Sequence, residues 1–155
     1  GLTGGAGGMD ALRPYAPADR AACLAVFDAC TPRFFAPGER PLFETWLDAP
    51  PKGVAYRVIE RDGRVVAGGG WMRRGATATL CWAMVEPGLH CQGLGGRLVR
   101  ARLETLRGTP GVRRVRLGTS FQTRGFYERF GFRVAGVTPD GYGPGLDRVD
   151  MTLRL

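Results

Sequence analysis

The chain has one lysine, one histidine and no long apolar run, and each shortage closes off a class of function. Lys52 is the only lysine and lies far from the glycine-rich turn discussed below, so that turn lacks the Gly-Lys-Ser/Thr ending of a nucleoside triphosphate loop. His90 is the only histidine and no two cysteines are spaced as C-x2-C, which leaves a zinc site short of ligands; no metal is expected. No stretch approaches the ~18 consecutive apolar residues of a membrane span. The glycine-rich start, residues 1–8, has neither the basic n-region nor the apolar core of a secretory signal. The expectation is a cytoplasmic protein without a membrane partner. Residues 1–8 read as a flexible leader or expression remnant, and residues 9–155 as a single domain.

What is present is an ordinary globular composition. Of 155 residues, 44% are apolar and 23% charged, enough for one hydrophobic core. The net charge of +8 raises nucleic acid as a partner, because basic surfaces gain affinity from neutralised phosphates. Against it, the arginines are spread along the whole chain, and Arg113, Arg114 and Arg116 alternate with valine and leucine as a strand would. A basic field serves equally to attract a small polyanion. Cys23 and Cys30 lie seven residues apart on one face of a helical stretch and Cys81 lies in an apolar strand, so all three read as small buried hydrophobes. Cys91 differs, sitting in a turn ahead of a helix, where it is expected to be the thiol most open to alkylation.

Periodicity orders the rest. A short strand at Leu12–Tyr15 precedes helices at Asp19–Cys30 and Glu39–Leu47, the second with Leu42, Phe43, Trp46 and Leu47 at helical spacing. Two β-rich runs, Val54–Glu60 and Arg64–Trp71, flank Asp62-Gly63, a hairpin signal, and Thr77–Val85 continues the meander. Gly68-Gly69-Gly70 implies a bulge or a close approach within a strand. A helix at Leu94–Arg107, a strand at Val112–Leu117, a helix at Gln122–Phe130 and strands at Phe132–Val137 and Asp147–Leu155 complete an α+β arrangement of helices on a mixed, mostly antiparallel sheet.

The most informative segment joins strand to helix: Val85-Glu86-Pro87-Gly88-Leu89-His90-Cys91-Gln92-Gly93-Leu94-Gly95-Gly96-Arg97-Leu98. Glycines there let backbone N–H groups and the positive end of the helix dipole converge on an anion. A tight structural connection is the competing reading. The dinucleotide fingerprint fits poorly, since Leu98 occupies its third glycine position and the turn falls past mid-chain.

In this segment the chain resembles the GCN5-related N-acetyltransferase (GNAT) family, whose loop runs valine, any residue, proline, then a glycine-rich helix start; Val85, Pro87, Gly93, Gly95 and Leu98 fall in register. A second family mark, a helix with a tyrosine ahead of Gly-Phe, is matched by Gln122-Thr123-Arg124-Gly125-Phe126-Tyr127-Glu128-Arg129-Phe130-Gly131-Phe132. The resemblance implies a sheet of six to seven strands with about four helices. It also implies acetyl-CoA as cosubstrate, entering a gap between the strand ending at Val85 and the next one.

The activity implied is direct acetyl transfer to a primary amine of a small molecule or peptide, and a homodimer is compatible with it. A non-catalytic acyl-CoA sensor of the same fold and a basic nucleotide- or nucleic-acid-binding protein are the alternatives. The cofactor contacts implied are Met84 and Val85 to the pantetheine amides, and His90, Cys91, Gln92, Gly93, Leu94, Gly95, Gly96 and Arg97 around the pyrophosphate. Ser120, Gln122 and Phe126 would lie along the arm. Arg97, Arg100 and Arg129 are candidates for the phosphates, with an exposed ion-pair face of Arg100, Glu104 and Arg107 as the competing role. His90 and Cys91 depart from the family's usual arginine or glutamine and glycine.

Tyr127 is the implied acid for the departing thiolate, against the plainer role of an aromatic packed beside Phe126 and Phe130. Transfer from a phenol of pKa ~10 to a thiol of pKa ~8.5 is uphill by about 2 kcal/mol, so full transfer requires a site that depresses the phenol. A base is also required to take the amine proton. Glu86, Glu44 and Asp48 are the candidates, and none stands out. Phe34, Phe35, Trp46 and Tyr142 are candidate walls for the acceptor, with core packing the default for Trp46.

Overall fold

The computed structural model describes residues 10–50 and 52–155, so the expected leader at 1–8 lies outside the described residues. Seven strands form one sheet: β1 (Ala11–Pro14), β2 (Val54–Arg61), β3 (Arg64–Arg74), β4 (Thr77–Val85), β5 (Arg114–Thr119), β6 (Arg133–Gly143) and β7 (Leu146–Arg154). Four helices accompany them: α1 (Arg20–Ala29), α2 (Arg40–Asp48), α3 (Leu94–Arg107) and α4 (Phe121–Glu128). The sheet order is β1-β2-β3-β4-β5-β7-β6, antiparallel throughout except for the parallel pair β4–β5. The α+β class and the mostly antiparallel sheet expected from the sequence are therefore present.

The local reasons are visible in the residues. Asp62 and Gly63 both take left-handed φ values, 52° and 77°, as a tight hairpin between right-twisted strands requires. In β2, neighbouring Val58 and Ile59 are both fully buried and belong to different core clusters, because the two faces of the sheet are covered by different helices. α1 and α2 bury Leu24, Phe27, Phe43 and Trp46 over one face; α3 lays Leu94, Leu98, Val99, Leu103 and Leu106 on the other. Phe27 and Phe43 are stacked with ring centroids 5.6 Å apart, and truncating either to alanine would cost ~3–5 kcal/mol. Leu42, periodic in the sequence, is instead 62% exposed.

The triple glycine is a point of close approach as well as a bulge. The β3–β4 register shifts between Gly68 and Gly70. A Cβ on Gly68 would lie 2.5 Å from the Tyr56 hydroxyl, one on Gly69 3.0 Å from the Arg102 Cζ, and one on Gly70 2.5 Å from the Ala55 carbonyl. Opposite the shift, Trp82 takes a φ of 51°, and its carbonyl accepts a 2.9 Å hydrogen bond from the Tyr56 hydroxyl. Tyr56 thus pins the irregular turn of β4 to the body of the sheet.

Strand boundaries differ from the sequence expectation most at β3, which runs on to Arg74, and at β5 and β6. β5 starts at Arg114 rather than Val112, since its ladder to β7 begins at Arg114 opposite Arg154 and continues to Thr119. β6 runs on to Gly143 because β7 stays beside it through register shifts at Val134/Gly136 and Thr138/Gly143. That extension carries Tyr142 back over the sheet, its hydroxyl 2.7 Å from where a Cβ on Gly118 would be.

Candidate active site

The parallel pairing of β4 with β5 lasts only from Thr77–Arg114 to Leu80–Leu117. Beyond Leu80 the strands part, and β5 from Gly118 onward pairs only with β7. The backbone edges so released open onto a cavity of about 990 Å³ that reaches from the start of α3 to the α1–α2 connection and β6–β7.

At one end stands the glycine-rich turn. Gly93 caps α3 at φ 79° with no side chain bonded to the helix start, and the first intrahelical bond is Arg97 N–H to Gly93 O at 3.0 Å. The amides of Leu94, Gly95 and Gly96 therefore precede the helical ladder and face no internal acceptor of it. A Cβ on Gly95 would approach the Phe126 ring at 3.3 Å, so a larger residue there closes the space between α3 and α4. Cys91 also has a left-handed φ, 68°. A left-handed φ favours glycine, so a cysteine there carries some backbone strain.

The expected site residues divide into two groups. Met84, Val85, His90, Cys91, Gly93, Leu94, Gly95, Gly96, Ser120, Gln122, Phe126 and Tyr127 all line the cavity. Gln92 and Arg97 do not, because both are drawn toward the β1 edge. The Gln92 side-chain Oε1 accepts from Arg61 at 2.9 Å, and an Arg97 Nη donates to the Asp10 backbone carbonyl at 2.8 Å. Of the three phosphate-contact candidates, Arg129 lines the cavity, while Arg97 and Arg100 lie off it.

Several lining groups are already engaged. His90 Nε2 is 2.8 Å from the Val85 carbonyl oxygen, and the His90 backbone N–H donates to Pro87 O at 3.3 Å. Ser120 is buried, with its hydroxyl 3.3 Å from that of Thr123. The Gln122 amide reaches across to the α1–α2 connection, donating to Arg33 O at 3.2 Å.

The carboxylates named from the sequence point elsewhere. Glu44 and Asp48 pair with Arg20 and Arg40 on the outer face of α2, and Glu86 pairs with Arg64 beside α1. Instead the cavity is lined by Glu39 and Asp150, neither singled out in the sequence. Burial raises the Glu39 carboxyl above its ordinary range, opposed by the Ala36 N–H that it accepts at 2.8 Å. Asp150 holds Arg148 at 3.1 Å. Phe34, Phe35 and Tyr142 form walls as expected, whereas Trp46 is core, edge-on to Tyr56 at 5.2 Å. Trp82, on the irregular turn of β4, takes the place at the wall that Trp46 was expected to fill.

Tyr127 is half-buried and lines the cavity, edge-on to Phe126 and Phe132. Burial raises its phenol above the ordinary value, and the positive charge of Arg102 acts in the opposite direction. Arg102 itself was missed, although a signal existed: it falls between Leu98 and Leu106 on the i, i+4 stripe that α3 buries. Cys23 and Cys30 are buried as expected, whereas Cys81 is only partly buried and lines the cavity. Burial pushes Cys23 and Cys81 up to about 12 and Cys30 to about 11, leaving Cys91 as the exposed thiol.

The opened strand pair thus lies beside a glycine-rich helix start that no side chain caps. The model of the Acetyltransferase (GNAT) family matches residues 21–132, and the chain belongs to that family. Its fold is similar to that of a protein described as a GNAT-family acetyltransferase from Desulfovibrio desulfuricans, with 25% identity and a TM-score of 0.80 over 94% of this chain and 98% of that one. It is also similar to the ribosomal-protein-S18-alanine N-acetyltransferase of Escherichia coli, at 20% identity and TM-score 0.79 over 94% of each chain. An aminoglycoside 6'-N-acetyltransferase complexed with coenzyme A superposes with TM-score 0.73 at 16% identity over 93% of this chain and 96% of that one. A comparison with curated proteins finds no match. The protein is thus an N-acetyltransferase by family and fold. Among the described residues, no helix is long and apolar enough to cross a membrane.

Proposed function

We propose that residues 9–155 form a single cytoplasmic enzyme domain that moves an acetyl group directly from acetyl-CoA to the primary amine of a small molecule or peptide bearing an apolar portion. The observation that carries this reading is the continuity of one cavity. It begins at unpaired amides suited to a pyrophosphate, passes an open strand edge, and ends among aromatic walls with two carboxylates. The coenzyme supplies an activated thioester.

The residues present fit that cosubstrate. The amides of Leu94, Gly95 and Gly96 would hold the pyrophosphate through backbone N–H groups, which makes His90 and Cys91 tolerable departures. The β4 edge past Leu80 would align the pantetheine arm, and a backbone N–H there would face the developing oxyanion. Arg129 would meet phosphate charge.

At the other end, Phe34, Phe35, Trp82 and Tyr142 would hold the apolar portion of the acceptor, while Glu39 and Asp150 attract its ammonium. An ammonium cannot attack, so a proton must leave first. Glu39 is the base we assign, directly or through water, because burial brings its carboxyl nearer the range in which a base works at neutral pH. Tyr127 Oη stands ready to hydrogen-bond the departing sulfur.

The test is release of free coenzyme thiol over a panel of arylalkylamines, polyamines, amino acids, aminoglycosides and peptides. Turnover confined to amines with an apolar portion supports the proposal. Acetyl-CoA binding with no turnover on any acceptor would instead identify a sensor, and salt-sensitive DNA binding without acetyl-CoA binding would end the reading.

A further inference from the structure

Arg102 is a buried cation without an anion. It is 1% exposed, and its Nε and Nη1 donate to the carbonyls of Leu98 and Gly70 at 3.1 Å each. Its Nη2 has no partner. None of the salt bridges among the described residues involves it. The fold makes room for it at some cost in side chains, since a Cβ on Gly69 would stand 3.0 Å from its Cζ.

Such a group is expensive to bury unless a negative charge forms beside it. The titratable groups facing it are Tyr127 from α4, Cys81 from β4 and Tyr56 from β2. Tyr56 already donates its hydroxyl to the Trp82 carbonyl, and Cys81 is held as a neutral thiol by burial. Tyr127 lines the same cavity as Arg102 and is the remaining group able to become anionic there.

We propose that Arg102 is a positioning residue that acts through Tyr127, its free Nη2 and fixed charge holding the phenolate that forms when Tyr127 gives up its proton. As the thioester C–S bond breaks, the electron pair goes to sulfur and the Tyr127 Oη proton follows it. The phenolate left behind is balanced by Arg102 and takes a proton back from solvent after the thiol leaves. Arg102 thereby offsets part of what burial adds to the uphill transfer from the phenol. Arginine suits the task because it stays charged when buried and its planar fork can hold two carbonyls while leaving a third donor free. Tyr142 on β6 is the other phenol close enough to feel Tyr127, and it keeps its own proton.

The inference rests on the acetyltransferase reading, so its test has one arm that needs no turnover. With 2,3-difluorotyrosine at position 127 the phenol titrates in an accessible range by absorbance. Arg102→Gln is expected to raise its midpoint by about one pH unit or more, and Arg102→Lys by less. In turnover, Arg102→Gln is expected to lower kcat at least about tenfold with acetyl-CoA affinity within about threefold, while Arg102→Gln combined with Tyr127→Phe is no slower than Tyr127→Phe alone. An unmoved phenol midpoint, a shift in Arg102→Lys as large as in Arg102→Gln, or additive losses in the double variant would overturn the proposal. Absence of turnover with every amine, together with a shifted midpoint, would count against the enzyme reading alone. Should Arg102→Gln not fold, Arg102→Lys decides the matter through its midpoint and its kcat.

Discussion

The two ends of the cavity are built from different materials. Around the start of α3 the groups that would meet the pyrophosphate are chiefly backbone amides, with Gln92 and Arg97 drawn away and His90, Cys91 and Arg129 left on the cavity wall. Around the α1–α2 connection and β6–β7, the available chemistry is in side chains: Glu39, Asp150, Phe34, Phe35, Trp82 and Tyr142. Tyr127 and Arg102 line the same cavity. A backbone site is damaged by adding atoms and indifferent to trimming, whereas a side-chain site is damaged by trimming. The two ends should therefore respond oppositely to mutation.

The sharpest separation is expected at Tyr127. Tyr127→Phe should lower kcat by about 100-fold while leaving acetyl-CoA affinity within about threefold, as measured by steady-state kinetics and calorimetry. Unchanged turnover would retire the phenol from the chemistry. At the coenzyme end, Gly95→Val adds atoms against Phe126 and is expected to weaken acetyl-CoA binding about 30-fold. If affinity survives, the amides of α3 are not the anion site.

At the acceptor end, trimming the charge with Glu39→Gln should lower kcat about tenfold and remove its acid limb. The direction follows from burial. The base works ionised and its carboxyl is raised above the ordinary 4.5, so activity should fall, as pH drops, sooner than it would for an exposed carboxylate. An acid limb that persists in Glu39→Gln would move the role to Asp150.

The smallest effect is expected for Cys91→Gly. It relieves a φ of 68° but loosens the unfolded chain, for a net gain of about 0.5 kcal/mol in denaturant melts with coenzyme affinity unchanged. In the parent protein Cys91 should be the first thiol alkylated at neutral pH, and acetyl-CoA should slow the reaction.

The same division explains what could be read from the chain. The glycine turn, the Asp62-Gly63 hairpin and the Gly68-Gly69-Gly70 irregularity were legible because glycine marks where the backbone turns left-handed or is closely approached, a demand that the residue type records directly. The acceptor end was not. Its residues arrive from separate elements, so no spacing unites Glu39 with Tyr142 and Asp150. On α2, residue type alone does not tell which face meets the cavity, and Glu44, Asp48 and Trp46 were placed there when they belong to an ion-paired surface and the core. β6 was cut short because the strand runs on through Pro139 and Gly141, residues that ordinarily signal a turn. Arg102 was visible only as a polar break in an apolar stripe.

The four residue pairs that tie β4 to β5 have a thermodynamic consequence. Among the described residues of the sheet they are the only seam between the β1–β4 block and the β5–β7 block. A ligand lying along the open part of that seam would complete the ladder and bind only the folded chain. Its contribution to stability would grow with its concentration, by about 2.7 kcal/mol at a hundredfold excess over Kd. Amide exchange at Cys81–Val85 and Gly118–Thr119 would record that gain first, with the coenzyme serving as the strand the sheet leaves out.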